Sequence, residues 1–236
     1  MKVWTVLNTI EEYQQLIGNG YLCCDDSNKD TFLYYEGNIE KQFKLGYDWI
    51  STKLREHTLN LLEYRQKFNI DMLRYPRWVW VQIEGKKNWD QIDKCFYSRI
   101  PKDYKVLIFN INENKLLLSD YDLWHCCLNI SKICNNEHDD DEFYDRLKKL
   151  DLKTYDLFFR NFDNYLEKDL IYKLRKEIID SWDEIFDIED ETEFCRYKNE
   201  EKTIQGNVWV LEKKDLIDVI DLNISQEDVD KYNEDV

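Results

Sequence analysis

The segment RWVWVQIEG (77–85) constrains the fold most, because its side chains alternate in type along the chain. Trp78 and Trp80 fall on one face of an extended segment, and Val79 and Val81 fall on the other, so the segment predicts a β-strand. Further strands are predicted at residues 3–7, 105–111, 115–118 and 203–211. The sequence NENK predicts a hairpin turn between two of them, 105–111 and 115–118.

Helices are predicted between these strands, from apolar residues that recur at helical spacing. They cover residues 10–17, 39–68, 122–133, two stretches within 143–180, a helix that starts at 181, and 215–220. Strands and helices in this order predict an α+β fold, in which helices cover a mixed or antiparallel sheet. No hinge rich in Gly, Ser or Pro divides the chain, so we expect a single globular domain over residues 1–225 and an acidic tail over 226–236.

The residue types also predict the compartment and the absence of bound groups. The chain has neither the apolar segment of a signal peptide nor a run of about 18 apolar residues, so no membrane contact is expected. Its 7 cysteines include no CxxC pair, which indicates reduced thiols in the cytoplasm. Because no phosphate-binding loop, dinucleotide fingerprint or paired-histidine motif is present, no cofactor and no metal is expected.

The net charge of −16 is distributed unevenly along the chain. Residues 1–119 carry 17 Lys+Arg and 16 Asp+Glu, whereas residues 120–195 carry 10 and 22. Direct nucleic-acid binding is therefore not expected, because its affinity comes from neutralising phosphates. An acidic surface attracts basic partners instead, which predicts an interaction protein that docks on a basic protein, for example a nucleic-acid-binding one, as an inhibitor or mimic.

The acidic run 138–142, predicted to be a charged loop, and the run 187–193 are the candidate docking segments. The candidate partner-binding residues are Asp139, Asp140, Asp141, Glu142, Glu189, Asp190 and Glu191. The alternative interpretation is ordinary solubilising charge on an exposed surface.

The segment LLLSDYDLWHCCLN (116–129) places polar side chains between a predicted strand and a predicted helix. Ser119 and Asp122 have the spacing of a helix-capping box, which is the structural interpretation. The functional interpretation is a proton-transfer group formed by Asp120, Asp122 and His125, since positions three apart share a helix face. The adjacent Cys126 and Cys127 are expected to be buried filler.

Arginines and tryptophans near residues 74–80 form the candidate ligand pocket. Arg74, Arg77, Trp78 and Trp80 combine planar cations with aromatic rings, which could hold a phosphate or stack a base. The alternative is that the tryptophans are sheet core and the arginines are a solvated edge. The second functional hypothesis is therefore a nucleotide-handling enzyme in which this pocket grips an anionic substrate.

The segment IQGNVWVL (204–211) adds Gln205 to the candidate ligand-binding residues. Its place on a strand near a glycine is similar to the place where NAD-dependent ADP-ribosyltransferases hold an acidic or amide residue. The first strand departs from those enzymes, since Trp4 and Thr5 stand where they usually present a His or Arg. The resemblance implies recognition of a nucleotide.

Blocks of sequence along nearly the whole chain resemble one family. They are MKVWTV, GYDWI, RYPRWVWVQIEGK, LLLSDYDLWHCCLN, SWDEIFDI and IQGNVWVL. In this order they resemble an uncharacterised bacterial family that is catalogued as a domain of unknown function. The resemblance implies a single cytoplasmic bacterial domain and assigns no role to any residue.

Overall fold

The computed structural model describes residues 1–7, 9–24, 38–92, 105–191 and 196–221. Over these residues the fold is α+β, as predicted. The helices are α1 (Ile10–Asn19), α2 (Asn38–His57), α3 (Leu62–Phe68), α4 (Tyr121–Leu128), α5 (Glu137–Lys149), α6 (Thr154–Phe159) and α7 (Lys168–Ser181). The strands are β1 (Lys2–Val6), β2 (Tyr21–Cys23), β3 (Arg77–Gln82), β4 (Lys105–Asn110), β5 (Leu117–Asp120), β6 (Ile204–Val208), β7 (Val210–Glu212) and β8 (Leu216–Asp221).

Six strands form one sheet in the order β5-β6-β3-β1-β4-β8, and β2 pairs with β7 in a second sheet. The pairs β1/β3, β1/β4, β3/β6 and β4/β8 are antiparallel, so the predicted mixed or antiparallel sheet is antiparallel. β4 and β5 lie far apart in this order, and the predicted hairpin between them is therefore wrong. The segment Glu113–Lys115 is a short 3-10 turn that separates the two strands.

The chain divides into two compact units. Among the described residues, the first unit contains 1–7, 9–24, 51–92, 105–118 and 203–221. The second unit contains 38–50, 119–191 and 196–202. The predicted tail over 226–236 lies outside the described residues, so the domain limits stay a prediction.

The first unit has a different apolar cluster on each face of its sheet. On one face, Val3, Val79 and Phe109 pack with Leu16 of α1, so this helix covers that face. On the other face, Trp4 packs with Trp80 at 6.0 Å between ring centroids. The bulge in β3 between Trp80 and Gln82 shifts the alternation by one residue. Ile83 consequently joins the tryptophan cluster rather than the valine face to which the sequence pattern assigns it.

The second unit is organised by buried aromatic residues. Trp124 of α4 is 3% exposed and contacts Tyr47 edge-on, with 5.6 Å between the ring centroids. Trp182 is fully buried, and its indole Nε1 donates to the Ser131 carbonyl at 2.8 Å. Ser181 ends α7, and its hydroxyl accepts from the Ile133 amide, so the helix predicted to start at 181 is instead a short 3-10 segment, Trp182–Phe186, that follows α7 directly.

Two further secondary-structure predictions are corrected by the structure. The acidic run 138–142 lies in the first turns of α5 and is not a loop, because Asn136 caps the helix and Phe143 and Leu147 supply a buried stripe. Residues 216–221 form strand β8 and not a helix, because they pair with β4. In the part of the chain that the structure describes, no helix has the length and apolar character needed to cross a membrane.

Candidate functional site

The strongest candidate site lies on the face that β3 and β6 share in the first unit. Gln205 lies opposite Trp80 and Asn207 lies opposite Trp78 in the antiparallel register. Directly opposed residues project from the same face of a sheet, so two amides and two indoles lie side by side. The structure therefore brings together three of the predicted ligand-binding residues, Trp78, Trp80 and Gln205.

The opposite face of β6 is closed by the core. Gly206 lies on that face, where an added Cβ would meet the Leu116 side chain and lie 3.2 Å from Cγ2 of Val79. Val208 also belongs to that apolar cluster. Because side chains alternate along β6, Gln205 and Asn207 lie on the other face of the sheet, beside Trp78 and Trp80. We call this the tryptophan face.

The predicted arginines do not join this group. Arg77 alternates to the face opposite Trp78, where it is 8% exposed. Its Nη2 donates to Oε1 of Glu12 at 2.7 Å, and Glu12 is 6% exposed. A buried pair of this kind balances both charges internally. Arg74 is exposed, and its guanidinium lies over the ring of its neighbour Tyr75 at 5.0 Å.

The predicted proton-transfer residues lie in the second unit, at the start of α4. Oδ1 of Asp120 accepts from the amides of Asp122 and Leu123, so Asp120 is the N-cap. The predicted Ser119 cap is therefore displaced by one residue. His125 is exposed, and its Nδ1 lies 3.0 Å from the carbonyl of Tyr121. One carboxylate oxygen of Asp120 therefore caps the helix. The other, Oδ2, is buried and has no hydrogen-bond partner in the described structure.

The acidic residues of α5 divide into paired and unpaired carboxylates. Asp139 forms an ion pair with Lys132, whose ammonium lowers the pKa of that carboxyl. The remaining acids on the exposed face of this helix are Glu137, Asp141, Glu142 and Asp145, which we call the acidic stripe. No ion pair involves the acidic stripe within the described ranges.

Two acidic residues of the second predicted docking segment, 187–193, already form contacts within the chain. Asp190 pairs with Arg196, from Oδ2 to Nε at 3.1 Å. Glu191 accepts from the backbone amide of Asn199 at 2.8 Å. Glu189 is exposed, and residues 192 and 193 lie outside the described residues.

Asp140 of the first docking segment, 138–142, is half-buried beside Cys134, and burial raises the pKa of that thiol to about 12.

A charged cluster around Glu212 was not predicted from the sequence. Its carboxylate is only 4% exposed and accepts from Lys115 and Lys67, each at 2.7 Å, while Lys214 lies at 3.0 Å. Burial alone would raise the pKa of Glu212, but the lysine hydrogen bonds outweigh it and lower the pKa to about 2. The three lysines come from separate elements, so no local motif marks this cluster.

Asn207 was also missed, although the alternation of IQGNVWVL places it on the same face as Gln205. It is fully buried, and neither Nδ2 nor Oδ1 has a hydrogen-bond partner among the described residues. No group of three or more His, Cys, Asp or Glu side chains among the described residues is arranged to hold a metal ion.

Comparison with known proteins identifies the family of the chain. Neither the curated proteins nor the solved structures contain a match to it. The sequence profile of an uncharacterised family matches residues 2–217, which is most of the chain and includes both the tryptophan face and α5. The chain therefore belongs to the family described as Domain of unknown function (DUF3841).

Proposed function

We propose that this chain is an interaction protein that presents an acidic surface to a basic partner protein. The partner class we favour is a nucleic-acid-binding protein, because the phosphate-contacting surface of such proteins is basic. The chain would act on it as an inhibitor or mimic. The proposal includes a bacterial and cytoplasmic setting, and the buried free thiols of Cys127 and Cys134 support a reducing compartment.

The observation that carries the proposal is the acidic stripe of α5. Glu137, Asp141 and Asp145 follow one another at intervals of four residues on the exposed face of the helix. Like charges at this spacing destabilise a helix by about 0.2–0.5 kcal/mol per pair. The helix dipole favours acids in the first turn only, so it offsets the charge of Glu137 but not that of Asp145. A basic partner would relieve this repulsion.

The experiment compares two triple variants that change the net charge equally. The first neutralises the acidic stripe with Asp141→Asn, Glu142→Gln and Asp145→Asn. The matched control neutralises three exposed acids elsewhere in the second unit, with Asp163→Asn, Glu167→Gln and Asp169→Asn. Each chain is immobilised and exposed to a bacterial lysate at about 50 mM and about 200 mM salt.

We expect the unsubstituted chain and the control to capture the same basic protein at low salt and to release it at the higher salt. The acidic-stripe variant should not capture it. Duplex DNA should compete with the chain for the captured protein, because both would occupy its phosphate-contacting surface. Equal capture by the two triple variants, or no salt dependence, would refute the proposal.

A second candidate function is nucleotide handling, which the pairing of Trp80 with Gln205 favours. The tryptophans would stack a base and the amides would bind its polar edge. Arg77 is engaged by Glu12, so an anionic substrate would need charge from elsewhere. Purified chain incubated with NAD and other nucleotides should bind one of them if this function holds; no thermal shift with any of them would exclude it.

A further inference from the structure

The corner between α6 and α7 exposes large apolar and aromatic side chains to solvent. Leu166 is 97% exposed, and Tyr172 is 52% exposed. Tyr165 and Leu170 are each 37% exposed, so all four lie at the surface within a short stretch of chain. Single exposed apolar residues are ordinary, but a group of them indicates a surface that another molecule covers. We call these four residues the corner patch.

Two arginines connect the rings of this corner. The guanidinium of Arg160 lies over Tyr165 at 5.3 Å and over Phe162 at 5.8 Å, measured to the ring centroids. The guanidinium of Arg175 lies over the same Phe162 ring at 5.9 Å and over Tyr172 at 5.2 Å. Rings and guanidiniums therefore alternate from Tyr165 to Tyr172, so both ends of the corner belong to one surface. Tyrosine and arginine are also the residue types enriched where proteins bind each other.

The charges of the corner are not neutralised by ion pairs within the described structure. Arg160 donates to a tyrosine hydroxyl and Arg175 donates to a backbone carbonyl, and neither forms an ion pair with a described residue. Asp163 and Glu167 are exposed between α6 and α7, and over the described ranges they form no ion pair either. Cations and acids therefore lie on one surface, available to a second molecule.

Charge favours this corner as the place where two copies of the chain meet. The chain carries a net charge of −16, so two copies repel one another over most of their surface. Residues 160–175 carry 4 Lys+Arg and 3 Asp+Glu, so the corner lacks this excess of acid. A basic partner protein gains no attraction from such a surface, whereas a second copy avoids the repulsion there.

We propose that this corner is the contact through which two copies of the chain form a two-fold symmetric dimer. In such a contact the same surface lies on both copies, so it must be complementary to itself. Leu166 of each copy packs on the corner patch of the other. Arg160 of each copy pairs with Asp163 or Glu167 of the other. The contact does not use the acidic stripe of α5, so the dimer goes beyond the proposed function and presents two acidic stripes.

The first measurement is sedimentation velocity over a range of concentrations. Standard contacts use about 20–30 residues of each partner, and the corner supplies fewer. The dissociation constant should therefore be on the order of 10–100 µM, and the chain should change from monomer to dimer between about 1 and about 300 µM. A chain that stays monomeric over this range would overturn the proposal, and so would assembly beyond a dimer.

A leucine variant locates the contact. Leu166→Asp should stay monomeric up to about 300 µM, because it places two like charges in the contact. Its melting temperature should not change, since this side chain is 97% exposed and contributes little to the core. The matched control is Leu62→Asp, which makes the same change at a leucine of α3 that is 66% exposed, and it should dimerise as the unsubstituted chain does. Equal dimerisation of the two variants would place the contact elsewhere and overturn the proposal.

A charge exchange tests the two-fold pairing. Arg160→Glu should be monomeric, and so should the double variant Asp163→Lys, Glu167→Lys, because each makes the facing charges alike. An equal mixture of the two should form a mixed dimer, since every substituted position then faces the opposite charge. The control mixture combines Arg160→Glu with Asp141→Lys, Glu142→Lys, which adds the same charge on α5, and it should remain monomeric. Equal association in both mixtures, or in neither, would overturn the two-fold contact.

Discussion

Removal of the Glu212 carboxylate should destabilise the first unit measurably, because this carboxylate forms ion pairs with three lysines. Its pKa is lowered from the usual 4.5 to about 2 by Lys115, Lys67 and Lys214. That difference corresponds to about 3 kcal/mol of stabilisation of the folded state. Lys67 and Lys214 are more than half exposed, so solvent screening reduces the expected value to about 2 kcal/mol. We expect Glu212→Gln to lower the free energy of unfolding by that amount at neutral pH.

The same group predicts a pH dependence with a definite sign. A carboxyl whose pKa is lower in the folded state stabilises the fold fully above its unfolded pKa, here 4.5. The stabilisation is lost as the pH falls toward about 2, because the folded state must then take up the proton. In Glu212→Gln, the decrease in the free energy of unfolding that comes from protonating Glu212 at low pH should be absent. Stability would therefore differ most between the two proteins near neutral pH and least near pH 2.

Urea unfolding followed by tryptophan fluorescence measures both effects. The control is Glu63→Gln, which neutralises an exposed carboxylate on α3. It should change the free energy of unfolding by less than about 0.5 kcal/mol at any of these pH values. If Glu212→Gln is no more destabilising than Glu63→Gln at neutral pH, or if its acid dependence equals that of the unsubstituted chain, the reasoning is refuted.

Two other predictions follow from local geometry. Asp120→Ala should lower the free energy of unfolding by about 1 kcal/mol because α4 loses its cap. Ser119→Ala should be close to neutral, because its buried hydroxyl has no hydrogen-bond partner in the described part of the chain. Denaturant titration of both variants checks this, and a larger loss for Ser119→Ala would contradict it. Gly206→Ala should lower the melting temperature because its Cβ would press on Leu116, whereas Gly18→Ala, with open space in α1, should raise it. Thermal unfolding checks this pair, and equal shifts would contradict it.

The parts of the fold that sequence predicts well are those with strict local patterns. The alternation of RWVWVQ corresponds to β3, and the helical spacing over 10–17 corresponds to α1. The helix predicted over 215–220 is wrong, because the apolar residues of this segment fit both periods and only the pairing with β4 decides between them. The hairpin error has the same origin, since strand order depends on contacts between distant residues.

The candidate sites also depend on contacts between residues that are distant in the sequence, which local patterns do not predict. Trp80 and Gln205 are each marked by a local pattern, but their position opposite each other comes from a strand pairing across more than a hundred residues. The sequence predicts Arg77 as a ligand-binding cation, with a solvated edge as the alternative, because its partner Glu12 lies 65 residues away. Of the predicted partner-binding acids of α5, Asp141 and Glu142 are exposed and Asp139 and Asp140 are half-buried. Their helical arrangement was missed, although Asn136 followed by Asp139 is a capping pattern.

The central position of β1 between β3 and β4 has a consequence for the nascent chain. About 70 residues separate β1 from β3, and at a synthesis rate of about 5–20 residues per second β1 waits roughly 4–14 s for its first partner. Both of its edges stay unpaired during that time, with Val3 and Trp4 exposed. Translation speed between β1 and β3, and chaperones that shield this strand, should therefore influence how much of the chain reaches the native sheet.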